Sequence, residues 1–296
     1  MQASAIHSLR RVAWTLGVPL GRLKALAAPD YTRYKTWENK AGRTLANPCA
    51  ELKHVQRLIR ERLLVPVPLP ECMHGCVKGR STLSNAAPHL GQRNLAKVDL
   101  KRFFPSVTNR MVFDTYLSIG FGPGPARLLT TLSTDGGHLP QGAPTSDRLA
   151  ALVIAPCVAE LEDDMARRGF SFTVFVDDFA VSGDDTRDAI SVVIKKIAEA
   201  GFSVGRRKTF NAGASRAHVV TGYTANSKAR PSVSRKDRRR LRATVNRLIC
   251  ARQCGAATEQ LEGSVRGTLT YLRRTNRGEV RRLEQQLAHA GIRLNA

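Results

Sequence analysis

The sequence predicts an α+β fold that ends in a basic, all-helical segment. Three observations carry this. Short apolar runs of strand character, at residues 95–100, 170–175 and 179–182, are set among longer stretches of helical character. The chain has 296 residues of which 42% are hydrophobic, enough for a sizeable core and too apolar for wholesale disorder. From residue 228 to 296 there are 17 Lys and Arg against 5 Asp and Glu, a net +12, so just over half of the chain's +23 lies in under a quarter of its length.

The elements follow in order. Residues 3–16 read as helix. Residues 50–64 read as a better one, because Leu52, Val55, Leu58, Ile59 and Leu63 fall near helical spacing with Lys53, Arg57 and Arg60 elsewhere. Prolines at 66, 68 and 70 end it, since proline cannot continue a helix. Residues 145–168 form a long helix starting after Gly142 and Pro144. Residues 188–200 form an amphipathic one closed by Gly201. The basic segment divides into helices at 235–251, 258–274 and 279–290. No internal repeat or low-complexity tract interrupts the chain.

A charge of +23 calls for a polyanionic partner, either nucleic acid or an anionic membrane. The longest mostly apolar run, residues 149–159, is too short to span a bilayer, and residues 1–16 lack the pattern of a signal peptide. Nucleic acid is therefore expected and a membrane is not. Cys72 and Cys76 flank His74, but the six cysteines form no CxxC pair and a fourth ligand is missing nearby, which argues against zinc. Cys250 and Cys254 share one helix face and read as inert core residues. Scattered thiols without an export signal point to a reducing cytoplasm.

Asp177 and Asp178 interrupt two apolar runs, which puts them at the tip of a strand hairpin. Carboxylates on a rigid hairpin suit a hard cation such as Mg²⁺. Aspartate is also a common turn residue, so this pair alone leaves an ordinary surface turn open. Asp99, at the end of the strand 95–100, supplies a third acid. Two-metal phosphoryl transfer needs carboxylates from separate strands to bridge ions about 3.5–4 Å apart.

These segments resemble motifs A and C of the palm of reverse transcriptases, where motif C usually reads Tyr-x-Asp-Asp and here reads Phe175-Val176-Asp177-Asp178. Between them, residues 138–146 (His-Leu-Pro-Gln-Gly-Ala-Pro-Thr-Ser) are similar to motif B, in the family's order. Asn85-Ala86-Ala87-Pro88-His89 and Val220-Thr221-Gly222 resemble two signatures of the retron branch. Similar stretches at 42–48, 75–81 and 231–242 extend the likeness over about residues 5–290. Three departures stand out. Phe175 replaces a tyrosine, Arg102 stands where many relatives carry an acid, and Asp147 replaces a proline. None removes a metal-binding acid.

The resemblance implies a right-hand polymerase: N-terminal helices and fingers at 1–94, a palm of antiparallel sheet and helices at 95–227 with some fingers elements interleaved, and a basic helical thumb at 228–296. It implies that Asp99, Asp177 and Asp178 hold two Mg²⁺ ions, with Mn²⁺ an alternative. Arg43, Arg80, Phe104, Gln141 and Lys208 are its expected nucleotide-binding residues, with Phe104 as the gate against a 2′-hydroxyl and Phe103 as a core aromatic. Asn85, His89, Arg235, Arg238, Arg239, Arg240 and Arg242 are its expected RNA contacts, and Tyr271 either joins that surface or packs. The implied partners are deoxynucleoside triphosphates, a cognate structured noncoding RNA with its DNA product, and a separate effector protein in antiphage defence. Priming from an internal 2′-hydroxyl would give branched multicopy single-stranded DNA. Two alternatives stay open at this point: a non-retron defence or group II intron-like enzyme, and a non-catalytic RNA-binding module.

Overall fold

The computed structural model describes residues 6–40, 42–205, 210–213, 215–227 and 229–294. Ser8 caps the first helix, accepting a bond from the Arg11 amide, so α1 is Leu9–Leu16; of the helix expected over 3–16, residues 6–8 lie ahead of it and residues 3–5 lie outside the described residues. After Gly17 and Pro19 comes α2, Leu20–Leu26. A hairpin follows, β1 (Tyr34–Glu38) with β2 (Thr44–Pro48). The sequence did not announce it, because four of the five β1 residues are exposed and show no apolar alternation. The helix expected at 50–64 is α3, Ala50–Ile59, continued by a π-helical turn at Arg60–Leu64. Next are α4 (Thr82–Ala86), a 3₁₀ turn at Ala87–His89, β3 (Asn94–Asp99), α5 (Phe103–Ser106), α6 (Asn109–Ser118) and α7 (Pro123–Ser133). Then come α8 (Ser146–Arg167), β4 (Ser171–Phe175), β5 (Asp178–Gly183), α9 (Arg187–Glu199) and β6 (Phe210–Ala212). The short strands β7 (Val219–Val220), β8 (Tyr223–Thr224) and β9 (Ser232–Val233) lead into α10 (Arg235–Gln253), α11 (Glu259–Arg273) and α12 (Arg277–His289).

The central sheet is antiparallel in the order β4-β5-β3-β6. Directly opposite residues share a face, so the register sorts every side chain. One face carries Val98, Phe179, Val181, Phe172 and Val174. These belong to a large core with Leu149, Ile154 and Val158 of α8 and with Val193 and Ile197 of α9. The other face carries Leu95, Lys97 and Asp99 of β3 opposite Ser182, Ala180 and Asp178 of β5.

Leu95 and Ala180 on that second face belong to another core, shared with the C-terminal helices. Each of those helices supplies an apolar stripe: Leu241, Val245 and Leu248 from α10, Val265, Leu269 and Leu272 from α11, and Val280, Leu283 and Leu287 from α12. Cys250 and Cys254 are exposed, which corrects their reading as core residues. Cys250 lies two residues past Leu248, turned about 200° from the stripe. Among the described residues, no helix is long and apolar enough to cross a membrane.

Candidate active site

The three acids meet at one end of the central sheet. Asp99 is the last residue of β3 and sits directly opposite Asp178, the first residue of β5. Phe175 pairs with Asp178, leaving Val176 and Asp177 as a two-residue turn. The Leu100 amide donates to the Asp177 carbonyl at 2.9 Å, tying the end of β3 to the hairpin tip. Val176 has φ of 61°, an uncommon conformation for a β-branched residue in a position that normally favours glycine. Gly75 packs against this turn so closely that a Cβ there would lie 2.5 Å from the Val176 backbone nitrogen. The segment around it borders β4: the Val174 amide donates to the Cys72 carbonyl at 2.9 Å, and the His74 amide donates to the Val174 carbonyl at 2.8 Å. A strained turn braced on both sides holds the acids in place.

Gln141 opens the loop that leads into α8. Its carbonyl accepts from the Ala46 amide of β2 at 2.9 Å. Gly142, at φ of 114°, comes so near that a Cβ would sit 3.1 Å from the Ala46 carbonyl oxygen. The β1–β2 hairpin and the Gln141 loop therefore form one continuous wall. Arg43 is exposed at the hairpin tip, where its amide donates to Asn39 Oδ1. Phe103 is buried against Phe202 with ring centroids 5.5 Å apart, whereas Phe104 is half-buried. Arg80 is half-buried and donates from Nη1 to the Met73 carbonyl at 3.1 Å, so it braces the segment beside β4. Lys208 lies outside the described residues.

Asn85 and His89 do not face solvent, which corrects their reading as RNA contacts. They are 1% and 0% exposed. Asn85 lies in α4, and His89 ends the 3₁₀ turn that follows it. His89 lies against the sheet, with Nδ1 2.7 Å from Ser182 Oγ and Nε2 2.8 Å from Thr173 Oγ1. The Thr173 hydroxyl donates to the Asn85 carbonyl at 3.4 Å. That assigns the ring proton to Nε2, with Nδ1 accepting from Ser182. Asn85 Nδ2 reaches Thr221 Oγ1 at 3.5 Å, and the Thr221 hydroxyl donates to the Thr82 carbonyl at 2.8 Å. Thr221 and Gly222, both at positive φ, make the two-residue turn between β7 and β8. A Cβ on Gly222 would lie 2.7 Å from Tyr271 Oη, and Tyr271 stacks on Tyr223 at 4.8 Å. Tyr271 thus packs. The two short signatures touch each other and link the sheet to α11.

On α10, Arg235, Arg239, Arg240 and Arg242 are exposed. Arg238 is half-buried and ion-paired to Glu279 of α12 at 3.1 Å, with Arg242 on the same carboxylate at 2.8 Å. Arg238 is therefore in part a brace between helices, formed with an acid 41 residues away.

Lys97 was missed by sequence reasoning. It lies two residues before Asp99 on the same face of β3, and its ammonium is 2.5 Å from Asp178 Oδ2. Strand alternation alone would have placed it beside the acids. Among the described residues, no group of three or more His, Cys, Asp and Glu side chains is gathered closely enough to hold an ion in this state. The donor set nevertheless fits a hard divalent cation: three carboxylates, from β3, β5 and the β4–β5 turn, at one sheet end. Burial, with the Glu162 carboxylate nearby, pushes the Cys72 thiol up, and the Cys72 amide donates to Glu162 Oε1 at 2.6 Å.

The family described as reverse transcriptase (RNA-dependent DNA polymerase) matches residues 35–225. The Retron Mx65 reverse transcriptase of Myxococcus xanthus is 32% identical over 93% of this chain and 70% of its own length. The Retron Ec86 reverse transcriptase of Escherichia coli is 28% identical over 86% of this chain and 78% of its own. Among solved structures, a telomerase from Candida albicans in complex with a fragment of telomeric RNA has a TM-score of 0.54 at 11% identity, covering 87% of this chain and 54% of that one. That likeness supports the right-hand polymerase fold.

Burial holds the His89 imidazole neutral, its pKa lowered from the ordinary 6.5 to about 3, with smaller contributions from His74, Lys97 and His218. Above pH 6.5 the ring is neutral folded or unfolded. Below it the unfolded chain takes the proton and the folded chain refuses it, so stability is lost as pH falls from 6.5 toward 3. The expected loss is about 1.4 kcal/mol per pH unit. Thermal melting between pH 7.5 and 5 should show a fall in midpoint that is smaller in His89→Gln. Equal falls in the two proteins would assign the acid sensitivity to other groups.

Proposed function

The chain belongs to the retron reverse transcriptases and is an RNA-directed DNA polymerase; from that premise we propose that it copies a cognate structured noncoding RNA into branched multicopy single-stranded DNA, primed from an internal 2′-hydroxyl. The observation that carries the chemistry is the sheet register that sets Asp99 opposite Asp178 beside Asp177. These three carboxylates would hold two Mg²⁺ ions, or Mn²⁺ in their place. Such ions, when bound, lower the pKa of the attacking hydroxyl and neutralise charge on the departing pyrophosphate. The chain's own residues do the rest. The hairpin turn fixes the carboxylates in direction, and the exposed Arg43 meets the triphosphate from the fingers. The loop of Gln141 and Gly142 supports the base pair being formed. Half-buried Phe104 sets its ring against the 2′ position of the incoming sugar. Lys208 is assigned to the pyrophosphate on motif resemblance alone.

RNA selection falls to the C-terminal helices, where Arg235, Arg239 and Arg240 present charge to solvent. The biological role in this reading is antiphage defence with a separate effector protein, in a reducing cytoplasm where the six free cysteines stay reduced.

Three variants test it. Asp177→Asn should abolish nucleotide incorporation in primer extension while RNA binding stays near the wild-type level, because metal charge is removed and the basic surface is not. Extension at the wild-type rate would end the two-metal assignment. Phe104→Ala should raise incorporation of ribonucleotides relative to deoxynucleotides, and an unchanged ratio would return Phe104 to core packing. Arg235, Arg239 and Arg240 replaced together by Gln should weaken binding of the cognate RNA and shallow the slope of log affinity against log salt by about two to three units. Synthesis on a generic annealed primer–template should survive better than synthesis on the cognate RNA. Unchanged affinity and slope, with the fold intact by circular dichroism, would move RNA selection to another surface.

A further inference from the structure

Lys97 lies in an unexpected place. A strand lysine that served only solubility would point to water on an exposed face. Lys97 instead shares its face with Asp99, and its side chain is 14% exposed. Its direct partner across the sheet is Ala180, a small residue that leaves room for the lysine to reach diagonally to Asp178, one pleat further along β5. On its other side it pairs with Phe210 of β6. The result is a contact between its ammonium and Asp178 Oδ2 at 2.5 Å, on a carboxylate that is itself only 23% exposed. A cation fixed there repels any divalent ion brought to the same three acids, and the low dielectric of a partly buried site strengthens the repulsion.

We propose that Lys97 is a built-in counter-cation of the active site, which neutralises Asp178 in the metal-free enzyme and must be displaced from it before that carboxylate takes up a metal ion. Lys97 is a positioning residue in this scheme. It keeps two adjacent acids and a third opposite them from repelling one another while the site waits, and it weakens metal loading before substrate arrives. The incoming triphosphate supplies negative charge that favours the metal and offers the displaced ammonium a new partner. The inference rests on the reading of Asp99, Asp177 and Asp178 as the metal site.

The test measures Mn²⁺ binding to the full chain free of nucleic acid and nucleotide, by the loss of the free-ion electron paramagnetic resonance signal. Lys97→Met keeps the length of the stem and removes the charge. It should bind Mn²⁺ about tenfold more tightly than wild type. Lys97→Arg keeps the charge and should bind as wild type does. The Mg²⁺ concentration for half-maximal primer extension should fall in Lys97→Met in step with the binding. Lys97→Gln, which can still hydrogen-bond Asp178, serves if the Met variant melts early, and should also bind Mn²⁺ more tightly. Unchanged or weaker Mn²⁺ binding in the folded neutral variants would overturn the proposal. Asp177→Asn separates the two levels. If it loses Mn²⁺ binding while Lys97→Met binds as wild type, Lys97 alone has been misjudged. If Asp177→Asn binds Mn²⁺ like wild type, the acids are not the metal site and the inference falls with that reading.

Discussion

The register of β3 on β5 is the constraint on which the rest of the site depends. Side chains in a strand alternate with a period of two, so a slip of one residue would send Asp99 and Lys97 into the apolar core and bring Val98 out to the acid face. Several contacts oppose that slip. Val98, Phe179 and Val181 are buried on one face by the helices α8 and α9. The Leu100 amide is bonded to the Asp177 carbonyl, and the Lys101 and Gly205 amides bond to Ser203 and Asp99 carbonyls, both at 2.7 Å. At the other end, His89 is pinned to Thr173 of β4 and Ser182 of β5 together. The hairpin tip is held by packing as well as by bonds. Gly75 has no side chain, and only that absence lets its segment lie on the strained Val176 turn.

Seen this way, the two short retron signatures act as structure. His89 and Asn85 form a buried polar network with Thr173, Ser182, Thr221 and the Thr82 carbonyl, and such networks, when their bonds are made, fix one arrangement of the chains they join. The chains joined are the central sheet, the α4 segment and the β7–β8 turn. Gly222 and Tyr223 then carry the connection to Tyr271 of α11. A substitution at Asn85 or His89 is therefore expected to disturb the placement of the helices that follow.

How much of this was legible in the sequence depends on how local each signal is. The three central strands were readable as short apolar runs, and the long helix before β4 and the three C-terminal helices because each buries one face and shows its period. The acids were readable because they interrupt such patterns. The β1–β2 hairpin was not, since Tyr34–Glu38 is mostly exposed, and two-residue strands such as β7 and β8 are too short to have a period. Side-chain partnerships were the least legible. His89 bonds to residues 84 and 93 positions away, and Arg238 pairs with Glu279, 41 away. A histidine or arginine with a distant partner looks, in sequence, like one waiting for a ligand. Lys97 is the opposite case: its position was written in the alternation of β3, but its partner appears only once the register with β5 is known.

The charge of the whole molecule acquires a meaning from this arrangement. A chain of +23 gathers a polyanion anywhere its cations are free, so specificity depends on which cations are committed internally. The acids of the C-terminal helices commit part of that charge. Glu279 takes Arg238 and Arg242, Glu284 takes Arg273, and Glu262 lies beside Arg252. Arg239 and Arg240 are exposed on the helix between those pairs. At the sheet end Asp99 sits opposite Asp178, Asp177 lies beside it in the turn, and Lys97 is set against Asp178. The same kind of contact, a carboxylate against a basic side chain, ties α10 to α12 in one place and holds Lys97 on Asp178 in the other.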